Sequence, residues 1–272
     1  MTSEGRAGVV RGKVFGEVAE VYDAARPGYS DELVGEVLAY AGLGGRGAVE
    51  VGAGTGKATV AFAERGVPLV CVEPDPRMAA VLRRNTAGHP GVRVEVCGFE
   101  EWEPGGRRFG LFLAATSWHW MAADRRWDLV HSVLEPGGAV ALFWNPQAVV
   151  DGGLHGELAE IDRRHGVVES PHGALAATSG DEPGSRGHWD EWPEAECRRD
   201  GRFTEVRSVR FRRRARYDTE RYLAFLASVS AYRMLPERRR EQALADVGEL
   251  LDARGGGIDM HHMNDLFLAR TR

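Results

Sequence analysis

The residues best placed to do chemistry lie in Ala48-Val49-Glu50-Val51-Gly52-Ala53-Gly54-Thr55-Gly56 and in Val72-Glu73-Pro74-Asp75. Strand, glycine-rich turn and helix together bring backbone N–H groups against a nucleotide, and the helix N-terminus adds partial positive charge. A phosphate-gripping loop needs GxxxxGK[ST]. Despite Gly56-Lys57, Val51 stands at the first glycine position and Ala58 at the hydroxyl position. A dinucleotide fingerprint GxGxxG needs glycine where Lys57 stands. What remains is Glu50, Gly52, Gly54 and Gly56 at alternate positions, followed by an acidic residue, Glu73, closing the next strand. On position alone, Glu73 reads as a helix-capping carboxylate near Arg77.

The elements that must position these residues follow from periodicity. Val14, Phe15, Val18, Val21 and Tyr22 form a helical stripe that ends at the turn Ala25-Arg26-Pro27-Gly28-Tyr29. Ser30 caps a second helix with Asp31 and Glu32 in its first turn and Leu33, Val34, Val37 and Leu38 buried. Strands then alternate with helices: 48–51, 68–72, Val92 to Val96, 109–115 and 139–144. Asp75 and Pro76 open the helix through Met78, Val81 and Leu82. Continuous apolar strands alternating with helices predict an α/β fold with a parallel sheet covered on both faces. From about Asn145 to Asp200 the composition turns to His, Gly, Pro and charge, with one helical pattern at Leu154, Leu158 and Ile161. That length predicts a lid or substrate-facing insertion. Phe203 to Tyr217 alternates as a strand, with Arg210, Arg212, Arg214 and Arg216 on one face, read as charges that blunt a sheet edge. Helices from Thr219 to about Arg233 and from Pro236 to the glycines at 255–257 precede a last strand at Asp265 to Ala269.

Composition narrows the function classes. The chain of 272 residues carries 35 basic and 40 acidic side chains, net −5, which argues against nucleic acid as the main partner. Cys71, Cys97 and Cys197 are an odd number without a CxxC pair, so neither a disulfide framework nor a structural zinc is expected. The nine histidines show no HExxH spacing, so no metal is expected. No apolar run reaches the roughly 20 residues of a membrane span, and no secretory leader is visible; a cytoplasmic protein is expected.

The glycine motif resembles the first motif of class I S-adenosylmethionine-dependent methyltransferases. Further matches come in that family's order. Glu73 closes the second strand, and Leu134-Glu135-Pro136-Gly137-Gly138 resembles the turn into the fifth. Tyr22-Asp23-Ala24-Ala25-Arg26-Pro27-Gly28-Tyr29 is similar to the N-terminal motif of a small-molecule subgroup that includes trans-aconitate methyltransferases. Ser117-Trp118-His119-Trp120 resembles that subgroup's His-Trp pair, and Leu266-Phe267-Leu268-Ala269-Arg270 also fits. The likeness is good over about residues 12 to 145 and loose beyond. It implies a single Rossmann-like, doubly wound domain over 1–272, with a mostly parallel seven-stranded sheet. Residues 12–43 would lie over the cofactor, with 146–200 and 219–255 as cap elements. It implies S-adenosylmethionine held by Tyr22, Arg26, Glu50, Gly52, Ala53, Gly54, Gly56, Glu73, Pro74, Met78, Phe99, Glu100, Thr116 and Trp118. Where the family often has an aspartate for the adenine amine, this chain has Gly98; Phe99 and Glu100 are the substitutes.

Methyl transfer from a sulfonium is an in-line displacement, so the protein positions a nucleophile and, where needed, takes its proton. His119 and Tyr22 are the catalytic candidates, His119 as a base near neutral pH or, in the plainer reading, a packing histidine. Trp120, Trp144, Phe225 and Tyr232 are the substrate-facing candidates, each also explicable as core. The expected acceptor is a small aromatic or heteroaromatic natural-product intermediate of the indole type, taken by a monomer or homodimer. The alternative is O-methylation of a small carboxylic acid held by Arg26, and a different class is a non-catalytic cofactor-binding or tRNA-binding protein.

Overall fold

A computed structural model describes residues 19, 20, 23, 28–168, 170–172 and 192–272. Helix α1 (Asp31–Ala41) starts where Ser30 accepts a hydrogen bond from the Leu33 N–H and ends at left-handed Gly42. There follow β1 (Ala48–Val51), α2 (Lys57–Ala63), β2 (Leu69–Val72), α3 (Pro76–Asn85), β3 (Val92–Glu95) and β4 (Phe109–Ala115). Helix α3 begins as its sequence predicts, with Asp75 capping and Pro76 at the first position. A 3-10 turn (Trp118–Trp120) leads to α4 (Arg126–Val133) and β5 (Leu134–Trp144). Beyond these lie β6 (Gln147–Val149), α5 (Gly152–His165), α6 (Pro193–Asp200), β7 (Phe203–Asp218), α7 (Thr219–Ala227), α8 (Ser230–Arg233), α9 (Glu237–Ala253) and β8 (Gly257–Thr271).

The sheet runs β3-β2-β1-β4-β5-β8-β6, with β7 on the other edge of β8. The first five strands in that order are parallel; β8 is antiparallel to β5, β6 and β7. This is the doubly wound, mostly parallel α/β arrangement, with eight strands where seven are expected. The extra strand has a physical origin. β8 extends well past the expected 265–269: Asp265–Arg270 pair with β5, but Gly257–Asn264 overhang its end, and Gln147–Val149 satisfy part of that free edge. Likewise the expected helix 219–233 is two helices. The Ser228 N–H and hydroxyl both turn back to the Phe225 carbonyl, and extended Val229 restarts the chain as α8.

Helices α1, α2 and Leu82 of α3 cover one sheet face, around Leu111, Leu113, Ala141 and Phe143. The other face packs against α4 and α6, around Phe112, Leu142, Trp144 and Phe267. A third apolar cluster joins α5, α7, α8 and α9 to the overhanging ends of β7 and β8 through Tyr217, Ile258 and Met260. Because Trp144, the last residue of β5, pairs with Asp265, this overhang of eight residues, about 26 Å of strand, projects past the carboxyl ends of the parallel strands. The cap therefore stands on the sheet end where open α/β folds bind ligands. The arginine row of β7 is not uniformly exposed. Arg210 is buried and ion-paired with buried Asp265, while Arg214 and Arg216 face Asp259.

Candidate functional site

The glycine turn joins β1 to α2 at the carboxyl end of the sheet. Gly52 has φ +66°, and a side chain there would meet the Ser117 Cβ at 2.5 Å, so glycine is required by packing as well as by conformation. Gly54 has φ +59° and nothing within 4 Å of the Cβ position, so its backbone faces open space. Its N–H donates to Glu73 Oε2 at 2.8 Å, while the Asp75 N–H donates to Oε1 at 2.9 Å. The nearly buried Glu73 carboxyl is thus clamped between the end of β2 and the turn. Burial raises its pKa, against the lowering effect of the two N–H bonds. The capping role is Asp75's, whose side chain binds the Arg77 N–H, so Glu73 is not the helix cap.

Glu50 is fully buried below the turn. Oε2 accepts from the Thr59 hydroxyl at 2.6 Å; Oε1 has no partner among the described residues, nor does the buried Thr55 hydroxyl. Burial pushes the Glu50 carboxyl up to about 8, opposed by the Thr59 bond and helped by the charge of Glu73. Two orphaned polar atoms, an open glycine backbone and a clamped carboxyl make a cradle that fits a neutral-to-cationic nucleoside with ribose hydroxyls. Among the described residues no cluster of three His, Cys, Asp or Glu is placed to hold a metal ion.

The other site candidates fall into distinct places. Ala53 and Met78 are buried, Pro74 is exposed, and Gly56 is the left-handed residue before α2. Phe99 packs on Phe112 at 5.5 Å in the core, and Glu100 accepts from the Ala122 N–H at 2.9 Å. Tyr22 and Arg26 lie outside the described residues. Nearby, Asp23 meets Asn85 Nδ2 at 3.1 Å and Lys57 Nζ at 3.5 Å, and Glu20 binds Arg84, so the described part of the N-terminal segment docks on α3 beside the turn.

At the carboxyl end of β4, Thr116 holds φ +56°, a strained backbone for a β-branched residue. Its hydroxyl lies 3.1 Å from the Tyr29 hydroxyl and 3.4 Å from Asn145 Oδ1, tying three elements together. His119 is half-buried against Trp120, ring centroids 4.6 Å apart, and Trp120 is 43% exposed. Trp118 instead belongs to the core, between the Trp127 ring at 4.9 Å and the Arg126 guanidinium at 4.7 Å. Trp144 packs on Trp192 at 5.1 Å in the same core. Phe225 and Tyr232 are interior members of the cap cluster. Glu73, the turn, Thr116 and His119 therefore share one end of the sheet, whereas Trp118, Trp144, Phe225 and Tyr232 are packed inside.

Sequence reasoning missed a buried network in the cap. Asp162 Oδ2 accepts from His172 at 2.8 Å and from the Ser170 hydroxyl, and Oδ1 from the Tyr232 hydroxyl at 2.5 Å. His172 Nε2 meets the Tyr222 hydroxyl at 2.5 Å. Burial works to raise the Asp162 pKa, but the His172 bond and charge and the two hydroxyls bring it below the ordinary value. Tyr29 and Asn145 were also missed as site members. No helix or strand spacing marks any of them: Ser170 and His172 reach Asp162 across 8 and 10 residues, and the other partners lie 29 to 87 residues apart.

Residues 48–138 match the family described as a methyltransferase domain. Uncharacterized methyltransferases of Mycobacterium bovis and Mycobacterium tuberculosis are 36% identical over 152 residues, 56% of this chain and 60% of theirs; the match thus spans less than two thirds of these relatives. Among solved structures, a putative type II methyltransferase from Anaeromyxobacter dehalogenans superposes with TM-score 0.61 at 22% identity, over 90% of this chain and 97% of that one. A putative methyltransferase from Bacillus halodurans gives 0.50 at 17% identity, over 87% and 97%.

Proposed function

We propose that this chain, whose fold is that of the class I methyltransferases and whose residues 48–138 match a methyltransferase domain, transfers a methyl group from S-adenosylmethionine to a small organic acceptor. The observation that carries the reading is the Glu73 carboxyl held by two backbone N–H groups beside the open face of Gly54. Glu73 is the ribose ligand, and Ala53, Gly54, Gly56 and Glu50 line the methionyl side. Met78, Phe99 and Glu100 take the adenine side, with Gly52 shaping the turn and Pro74 beside the ribose. When bound, S-adenosylmethionine supplies an electrophilic methyl group on a sulfonium. The chain's own work is to seat the acceptor, exclude water and remove a proton.

Thr116, Tyr29 and Asn145 form the floor of the acceptor side, and strain at Thr116 is supported by both hydroxyl contacts. His119, at the same end of the sheet with Trp120 beside it, is the candidate base, taking a proton from a carbon or nitrogen of an aromatic or indole-type natural-product intermediate. Calorimetry tests the cofactor assignment. S-adenosylhomocysteine should bind at roughly micromolar affinity, while NAD and ATP should not. Glu73→Ala removes charge-assisted bonds, so affinity should fall at least tenfold, about 1.4 kcal/mol. Unchanged affinity would remove Glu73 from the ribose.

A further inference from the structure

One row of side chains crosses the cap end of the sheet without a structural reason. Gln147 on β6 stands directly opposite His262 on β8, and His262 stands opposite Arg213 on β7. Residues opposite one another in antiparallel strands share a face. On that face the row separates two apolar zones. Phe143, Leu266, Val209 and Phe211 belong to the sheet core, and Val149, Met260, Ala215 and Tyr217 to the cap. A band serving only packing would be apolar here too.

The polar atoms of this band are buried and unmatched. His262 is 6% exposed, and its Nε2 has no hydrogen-bond partner among the described residues. The same holds for the hydroxyl of Tyr217, 1% exposed, and for the Gln147 side-chain oxygen. The Tyr217 and His262 rings are stacked, 5.5 Å apart and 18° from parallel. Each such orphan costs about 1–3 kcal/mol of desolvation, so three together point to a polar ligand that satisfies them.

The charge of that ligand follows from the arginines. Arg221 lies over the Tyr217 ring at 4.3 Å, and both Arg213 and Arg221 act on His262. Neither makes an ion pair among the described residues, whereas Arg207, Arg210, Arg214 and Arg216 on the same strand each meet a carboxylate. Burial, and then these two cations, push His262 down to about 4, so at neutral pH its ring carries one N–H and no charge. The band thus offers two guanidinium forks, an imidazole N–H, a phenol and an amide whose two ends are interchangeable. Gln147 is two residues past Asn145, which bonds Thr116, so the band begins about 7 Å of strand from the acceptor floor.

We propose that this band is an oxyanion subsite that anchors the acceptor away from its methylated atom. Arg213 and Arg221 supply charge, and Gln147, His262 and Tyr217 supply hydrogen bonds. The acceptor is therefore an organic molecule bearing a carboxylate or a phosphate, a reading that rests on the methyltransferase assignment.

Calorimetry on the full chain, saturated with S-adenosylhomocysteine, tests this with phenylacetate, phenyl phosphate and neutral phenylacetamide. At least one anion should bind at least tenfold more tightly than the amide, and which one does so identifies the group. The Arg213→Gln/Arg221→Gln variant should lose that preference at least tenfold and keep its affinity for S-adenosylhomocysteine. Tyr217→Phe, which deletes one orphan hydroxyl, should fold at least as stably and still bind the anion more weakly. Equal binding of anion and amide, no anion binding, or full binding by the double variant overturns the subsite. Anion binding by a protein that does not take S-adenosylhomocysteine keeps the subsite and overturns the methyltransferase reading instead.

Discussion

Replacing Glu50 by Gln removes a titratable group from the interior without changing its shape. In the unfolded chain this carboxyl titrates near its ordinary 4.5, and in the fold near 8. Between those values the unfolded state releases its proton and the folded state keeps it. The folded state is therefore penalised as pH rises: the stabilisation is complete below 4.5 and gone above 8. Linkage puts the loss between pH 5 and pH 8 at about 3 kcal/mol. Glu50→Gln has no such titration. Its amide oxygen accepts from Thr59 as Oε2 does, and its amide nitrogen takes the place of the orphaned Oε1. Urea unfolding at pH 5 and pH 8 should therefore show near-equal proteins at the lower pH and a variant more stable by about 3 kcal/mol at the higher. A gap that does not change with pH would refute the reasoning, because the carboxyl would then be ionising in the fold at its ordinary value.

Three other outcomes are expected. His119→Asn should lower kcat by about 10²–10⁴-fold with little change in S-adenosylhomocysteine affinity by calorimetry; full kcat would point to an acceptor already ionised, such as a carboxylate. The pKa of His262 is depressed to about 4, so the unfolded state binds a proton below 6.5 that the folded state refuses. Stability should fall by about 3 kcal/mol from pH 6.5 to pH 4, and His262→Gln should flatten that limb in denaturant melts. Asp162→Asn turns one acceptor oxygen into an NH2 donor, so either the Tyr232 hydroxyl or the His172 and Ser170 donors lose their acceptor in the cap, which should cost about 3 kcal/mol in urea unfolding.

The sheet and its glycine turn were legible because they are local. Apolar runs of four to seven residues, caps such as Asp75-Pro76 and the alternate glycines each act within a few positions of themselves. Glu73 could be singled out because strand and turn fix where it lies. The acceptor side was read less well. Trp118 and Trp144 attract notice as aromatics at strand ends, yet one faces Arg126 and Trp127 and the other Trp192, contacts no spacing encodes. Arg210 and Arg213 look alike in an arginine-rich strand. Only the register with β8 tells that one meets Asp265 and the other His262. Phe225 and Tyr232 fall in the single helix expected from Thr219 to about Arg233, but the chain breaks between them, and both are buried in the cap interior.

The long β7–β8 hairpin behaves as a cantilever. Its root is clamped into the central sheet through β5, and its free end carries α5, α7, α8 and α9 through one shared apolar cluster. The pitch of the cap over the carboxyl end of the sheet follows an unbroken ladder from Arg207 to Asp218, so a twist of that ribbon tilts the cap relative to the end of the sheet where Thr116 lies. The tip can then be re-lengthened by whole pairs of residues. Two residues added to each strand would lift the cap by about 7 Å and keep every side chain on its own face, a way to admit larger acceptors while leaving the glycine turn untouched.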